Sequence, residues 1–189
     1  MSPHQTYRPL ARFFHWASAI LVLLTIPAAI AMLRPGIARS LQDPLFLFHK
    51  NIGVVILILV ALRLAYRLVN PPPPLLDSVM PLQRRIAELT HWGLYGLLLG
   101  MAISGYIRVT AGGFPLEVFD ALGLPRLAPR SDSLAETAKQ IHATLRIPLI
   151  GLIALHIGAA LYHGLIKKDG VFQRMAPGRG RPPGVGPDQ

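Results

Sequence analysis

Four long apolar segments dominate the chain: about Leu10 to Leu33, Leu45 to Val69, Ile86 to Ile107 and Ala138 to Ile166. Each supplies the roughly 20 residues that a helix needs to cross a bilayer. Backbone polar groups in hydrocarbon must be satisfied within the segment, so runs of this kind are helices and not strands. The expectation is an all-α membrane protein, a four-transmembrane-helix bundle. Composition agrees, because hydrophobic residues make up 52% and charged residues only 15% of the chain, against roughly 25% charged in soluble proteins. The formal net charge of +10 invites a nucleic-acid reading. That reading fails on distribution, since Lys and Arg flank the apolar runs instead of forming one basic face. The absence of cysteine excludes disulfides, Cys-ligated zinc, iron–sulfur clusters and C-x-x-C-H haem attachment. Any metal chemistry rests on His, carboxylates or Met.

The connections order the bundle. NPPPPLLDSVMPLQRR (Asn70–Arg85) is a short, Pro-rich polar break, so the second and third helices are expected to be antiparallel neighbours. The longest connection runs from Arg108 to Thr137, and PLEVFDALGL within it is expected to form a short interfacial turn of helix. Pro27 and Pro148 lie inside the first and fourth segments and are expected to kink them. Residues 1–175 read as one membrane domain. Residues 176–189, APGRGRPPGVGPDQ, read as a disordered cytoplasmic tail. The run containing Ala29-Ile30-Ala31 exceeds the roughly 7–15 residues of a secretory h-region, so it is read as a retained helix.

Lys and Arg near the helix ends set the orientation. Both termini are placed in the cytoplasm, where eleven of the nineteen basic residues then gather, from Arg8 to Arg181. The other eight face outward and are partly balanced by five of the nine acidic residues.

Histidines in such segments are costly and point to function. His142 and His156 stand fourteen residues apart, about 21 Å along a helix with only about 40° of drift. They share a face at two depths. In the antiparallel topology His15 lies toward the cytoplasm and His49 toward the outside. Descending the fourth helix sets His142 beside the level of His49, and His156 near that of His15. Each depth then holds two imidazoles from different helices. One imidazole on each side of a porphyrin fills both axial positions of a b-type haem, which leaves an iron suited to electron transfer. Zinc fits less well, because it takes about four ligands and each level offers two. Gly53, Gly158, Ala159 and Ala160 suit a porphyrin edge or plain helix packing, while GLYGLLLG (Gly93–Gly100) reads as a helix-packing motif.

With these features the chain resembles the bacterial cytochrome b561 family of four-helix, dihaem membrane cytochromes. The resemblance spans about residues 8–177 and rests on FHW (Phe14–Trp16), FHKNIGVVILILVALRLAYRLVNPPPP (Phe48–Pro74), LTHWGLY (Leu89–Tyr95), the His142/His156/His163 series and KDGVFQRMAP (Lys168–Pro177). The last stretch and the RLxxRLxxPPPP pattern are especially similar to the subgroup that passes electrons from superoxide to ubiquinone. The resemblance implies two non-covalent haem b groups in a bacterial inner-membrane protein. It assigns His15 and His156 to the cytoplasmic-side haem, and His49 and His142 to the periplasmic-side haem, matching the pairing by depth. It further implies an oxidoreductase acting on superoxide and ubiquinone.

His91 and His163 fall near the cytoplasmic interface. They read either as solvated interfacial histidines or, with Trp92, as a quinone pocket in which an imidazole relays protons. Arg12, Arg63 and Arg146 are placed to meet haem propionates, or to snorkel to headgroups. Lys50, with Arg39 and Arg146, makes an electropositive outer mouth that steers a small anion. Two other functions stand beside the superoxide reading. One is an anchor subunit passing electrons between quinone and a separate dehydrogenase or hydrogenase, with a redox partner protein. The other is a non-redox helical protein, colourless when purified.

Overall fold

A computed structural model describes residues 6–76 and 79–177. Among these residues it contains α1 (Pro9–Met32), α2 (Arg39–Val69), α3 (Pro81–Ala111), the short α4 (Glu117–Ala121) and α5 (Asp132–Leu161). α5 runs on into a wide π-turn, Tyr162–Lys167, and the chain closes with a 3₁₀ turn at Phe172–Arg174. Four helices, α1, α2, α3 and α5 with its π-turn, are long and apolar enough to cross a membrane.

Three helices begin earlier than hydropathy suggests, α2 at Arg39, α3 at Pro81 and α5 at Asp132. The reason is length. The 31 residues of α2 reach about 46 Å at ~1.5 Å each, well past the ~30 Å of hydrocarbon. The overhanging turns RSLQDP, PLQRR and DSLAET are polar, and the last two carry local helix-start chemistry. Pro81 is the first residue of α3, where its missing N–H is no loss. Ser131 caps α5 by accepting from the Leu134 N–H at 3.3 Å. The long connection thereby shrinks to residues 112–131, with α4 inside it. Pro27 and Pro148 are carried within α1 and α5 without ending them. Of the expected tail, residues 178–189 lie outside the described residues, while the Ala176 carbonyl accepts from Arg12 Nη1 at 3.2 Å.

Packing follows a chain of neighbours: α1 on α2, α2 on α3, and α3 on α5. The tightest core gathers Val22, Ile56, Val60 and Tyr95, with Leu21, Leu64, Leu98 and Ile153 packed around them. Much of the outer surface is bare Leu and Ile, such as Leu62, Leu89, Ile147 and Leu155, which suits hydrocarbon. α3 approaches α5 through glycines. A β-carbon on Gly93 would sit 2.9 Å from Leu152, and one on Gly100 would sit 3.1 Å from Leu145. Gly96, the other half of the GxxxG pair, faces nothing within 4 Å. The close seam therefore follows the Gly93–Gly100 interval. α5 meets α1 and α2 more sparsely, through Ile153 at this core and through the rings of His142 and His156.

The first and last described segments meet at one end of the bundle. Tyr7 N donates to the Arg174 carbonyl (3.2 Å), and Trp16 Nε1 donates to the Met175 carbonyl (2.8 Å). Arg8 hydrogen-bonds Asn70 there. At the opposite end, residues 112–131 form a cap. Leu116 is fully buried, Arg126 pairs with Asp120 at 3.0 Å, and Tyr106 Oη accepts from Leu127 N at 2.8 Å.

Candidate functional site

Two groups of imidazoles bridge α5 to the remaining helices. At the capped end, His49 of α2 and His142 of α5 hold their ring centres 6.2 Å apart, at an interplanar angle of 88°. At the opposite end, His15 of α1 and His156 of α5 stand 6.1 Å apart at 76°. These separations can be tested against the iron they were expected to hold. Two metal–imidazole bonds of about 2 Å and a nitrogen-to-centre distance of ~1.1 Å in each ring span about 6 Å. Both pairs fit that span. Among the described residues no cluster of three or more His, Cys, Asp or Glu side chains is arranged to hold a bare metal ion.

Hydrogen bonding prepares the capped-end pair. His142 Nδ1 lies 2.9 Å from the Met101 carbonyl, to which only a protonated nitrogen can donate. The neutral ring then carries its proton on Nδ1 and keeps the Nε2 lone pair for a metal, the usual role of a partner behind a ligand. Ser104 Oγ donates to the same carbonyl at 3.0 Å and lies 3.3 Å from His142 Nδ1. Gly105 makes the space, since a β-carbon there would be 3.1 Å from His142 Cε1. Among the described residues His49 Nδ1 is buried without a partner at full hydrogen-bond geometry, the Thr25 backbone being the polar group near it. Gly53, one turn from His49, has nothing within 4 Å of its missing side chain.

The other group is richer than expected. His91 of α3 joins it, with its ring centre 5.6 Å from that of His156. Arg63 Nη2 lies 2.9 Å from His15 Nδ1, and its guanidinium stacks over the Tyr95 ring at 5.3 Å. Arg67 lies over Trp92 at 5.3 Å and over Tyr95 at 5.6 Å. A guanidinium over an aromatic face is held there by the ring quadrupole, so α2 and α3 are laced together by two cations. Trp92 itself is exposed.

His163 is not part of this group. It lies in the π-turn with Nδ1 2.6 Å from Asp169 Oδ2, and both side chains are nearly buried. Partial burial pushes the Asp169 carboxyl up, but hydrogen bonds from His163 and the Val171 N–H outweigh it and hold the group below its ordinary value. Arg12 reaches the Ala176 carbonyl beside this turn. Arg146 is exposed on α5, and with Arg108 it lies within electrostatic reach of His142. Arg39 is the first residue of α2, so ten residues put it about 15 Å above His49.

Lys50 departs most from the open cationic mouth. Its Nζ is 2.5 Å from Glu117 Oε1 and 2.9 Å from the Pro115 carbonyl. Asn51 donates to Glu117 Oε2 at 2.8 Å and accepts from Val118 N at 3.2 Å. Partial burial raises the Glu117 carboxyl, and the hydrogen bonds from Lys50 and Asn51 more than reverse this, leaving it below its ordinary value.

Glu117, Asn51, Arg67, Tyr95 and Asp169 carried no spacing signal. Only the level of Gly105 beside that of His142, read across two antiparallel helices, could have pointed to the notch behind that ring.

Comparison with known proteins decides the class. Residues 6–178 match the family described as prokaryotic cytochrome b561. The chain belongs to that family. Its members are membrane electron-transfer proteins that use b-type haem. The chain is 31% identical to cytochrome b561 homolog 2 of Escherichia coli (strain K12) over 171 residues, covering 90% of this chain and 91% of the relative. It is 30% identical to a probable superoxide oxidase CybB of Yersinia pestis over 174 residues, covering 92% and 97%. Cytochrome b561 homolog 1 of Escherichia coli (strain K12) is 28% identical over 169 residues, covering 88% and 94%.

Proposed function

We propose that this b561-family chain is a dihaem superoxide:ubiquinone oxidoreductase of the bacterial inner membrane, with its termini in the cytoplasm. The observation that carries the proposal is the presence of two imidazole pairs, 6.2 and 6.1 Å apart, at levels about 21 Å apart along α5. His49 and His142 hold the periplasmic-side haem in this reading, and His15 and His156 the cytoplasmic-side haem. Held by these imidazoles, haem would supply reversible one-electron storage. The relative named as a probable superoxide oxidase supports the choice of substrate.

The balance is simple. Two superoxide anions each give up one electron and leave as dioxygen, and ubiquinone takes both electrons and two protons to form quinol. The chain's own residues orient and supply. Met101 and Gly105 set the His142 ring. Arg63 and Arg12 stand near the inner pair as partners for acidic haem substituents, and Arg146 serves the outer one. His91, His163 and Trp92 are the quinone-side residues. His163 and Asp169 form the hydrogen-bonded pair best built to hold and hand on a proton.

Anaerobic mixing of the purified holoprotein with superoxide pulses tests this reading, followed by addition of ubiquinone. Haem reduction must outrun the dismutation of superoxide and reverse when quinone is added. If the protein carries two haems but superoxide leaves them oxidised, the anchor-subunit reading takes its place. His142→Ala is expected to remove chiefly the outer haem and His156→Ala the inner one, and two haems with unaltered spectra in either variant would sink the pairing.

A further inference from the structure

Lys50 follows His49 directly, and Asn51 follows Lys50. Their two donors grip separate oxygens of one carboxylate, Nζ on Glu117 Oε1 at 2.5 Å and Nδ2 on Oε2 at 2.8 Å. The carboxylate comes from far along the chain, on the cap between α3 and α5. The cap is also pinned by buried Leu116 and by the hydrogen bond from Leu127 N to Tyr106 Oη of α3, so it has anchors besides this contact. Lys50 is mostly covered, with 18% of its side chain exposed, while Glu117 on the solvent side is 41% exposed. A cation and an amide aimed at two adjacent oxygens, from the two residues that directly follow His49, describe a receptor for a small monoanion with neighbouring oxygen atoms.

We infer that Lys50 and Asn51 form a small-oxyanion site beside His49, that Glu117 is its internal occupant, and that an arriving anion enters by displacing Glu117. Glu117 is thus an exchangeable plug: seated, it cancels the Lys50 charge; swung out, it uncovers that charge at the mouth of the outer imidazole pair. Naming superoxide as the physiological anion rests on the proposed function; the receptor itself does not. A unit charge about 5 Å from an anion in water raises its local concentration about fourfold, which sets the scale of the effect.

Two measurements on the holoprotein test it. The first is acylation of Lys50 by a water-soluble reagent, read by mass spectrometry with Lys139 as the internal reference. Glu117→Gln is expected to speed Lys50 acylation several-fold, and added formate to slow it again in that variant. Equal acylation in the wild type and Glu117→Gln, or no protection by formate, overturns the plug. The second is the rate of haem reduction by superoxide pulses. Glu117→Gln should raise the second-order rate constant about fourfold at low ionic strength, with a steeper salt dependence, and should have no effect in a Lys50→Gln background. Two haems per chain and an unchanged spectrum verify that the variants fold. A wild type that superoxide reduces, with Glu117→Gln no faster, overturns the gating role. Lys50 protection as expected, with a wild type that superoxide does not reduce, keeps the oxyanion site and discards superoxide as its ligand.

Discussion

Gly105→Ala gives a direct test of how the outer imidazole is positioned. The new β-carbon would lie 3.1 Å from His142 Cε1 and 3.3 Å from Nδ1. Relief requires the ring to retreat by a few tenths of an ångström, away from α3. That movement lengthens the 2.9 Å contact from His142 Nδ1 to the Met101 carbonyl, which fixes the proton on Nδ1. Losing a hydrogen bond of this kind costs about 0.5–1.5 kcal/mol, and disturbing the partner behind a metal ligand lowers affinity about 10–100-fold. On the proposed dihaem reading, the expected result is about tenfold weaker retention of the haem at His49 and His142, with the other kept. The assay is haem per protein during graded extraction, with low-temperature spectra separating the two sites. A helix-interior Gly→Ala change also adds up to ~1 kcal/mol of helix propensity. Gly96→Ala measures that background, since nothing lies within 4 Å of the Gly96 position. If Gly105→Ala and Gly96→Ala retain both haems equally, the notch behind His142 has no positioning role.

Other outcomes follow from the same geometry. His91→Ala should leave two haems bound while His15→Ala loses one, and the reverse in a haem-stoichiometry assay would make His91 the partner of His156. Asp169→Asn should lower the thermal midpoint, because a buried charge-assisted contact contributes about 1.5–3 kcal/mol; an unchanged midpoint would show that the π-turn is held without it. The Asp169 carboxyl is held below its ordinary value of 3.8, so its contribution is full above that pH and disappears as pH falls through the depressed value. A pH-stability scan of wild type against Asp169→Asn should therefore converge in strong acid and diverge above about pH 4. Glu117 carries the same sign, and acidification below its depressed value should expose Lys50 to acylation in the wild type.

Span number and helix direction were legible because a bilayer imposes a length that hydropathy reads directly. Helix starts were not, since RSLQDP, PLQRR and DSLAET are polar turns that continue a helix beyond hydrocarbon. The meeting of His49 with His142, and of His15 with His156, followed from depth and helical period. Hydropathy is silent on lateral order, so it gave no sign that His91 would join His156 or that Arg63 would face His15. Lys50 misled in a different way. A lysine beside a buried histidine reads as free positive charge, and only the fold of the cap brings Glu117 onto it across 67 residues. Contacts of that separation are set by loop packing, which no local pattern encodes.

The neighbour order of the helices has a consequence for biogenesis. α1 and α2 form one hairpin and α3 and α5 another, joined along the α2–α3 seam, while α5 reaches α1 and α2 through Ile153 and through two of its imidazoles. Each hairpin can enter the membrane as a unit, and on the proposed dihaem reading the two imidazole pairs are the contacts that haem would close between them, so haem supply would set how much of the inserted chain reaches its finished form.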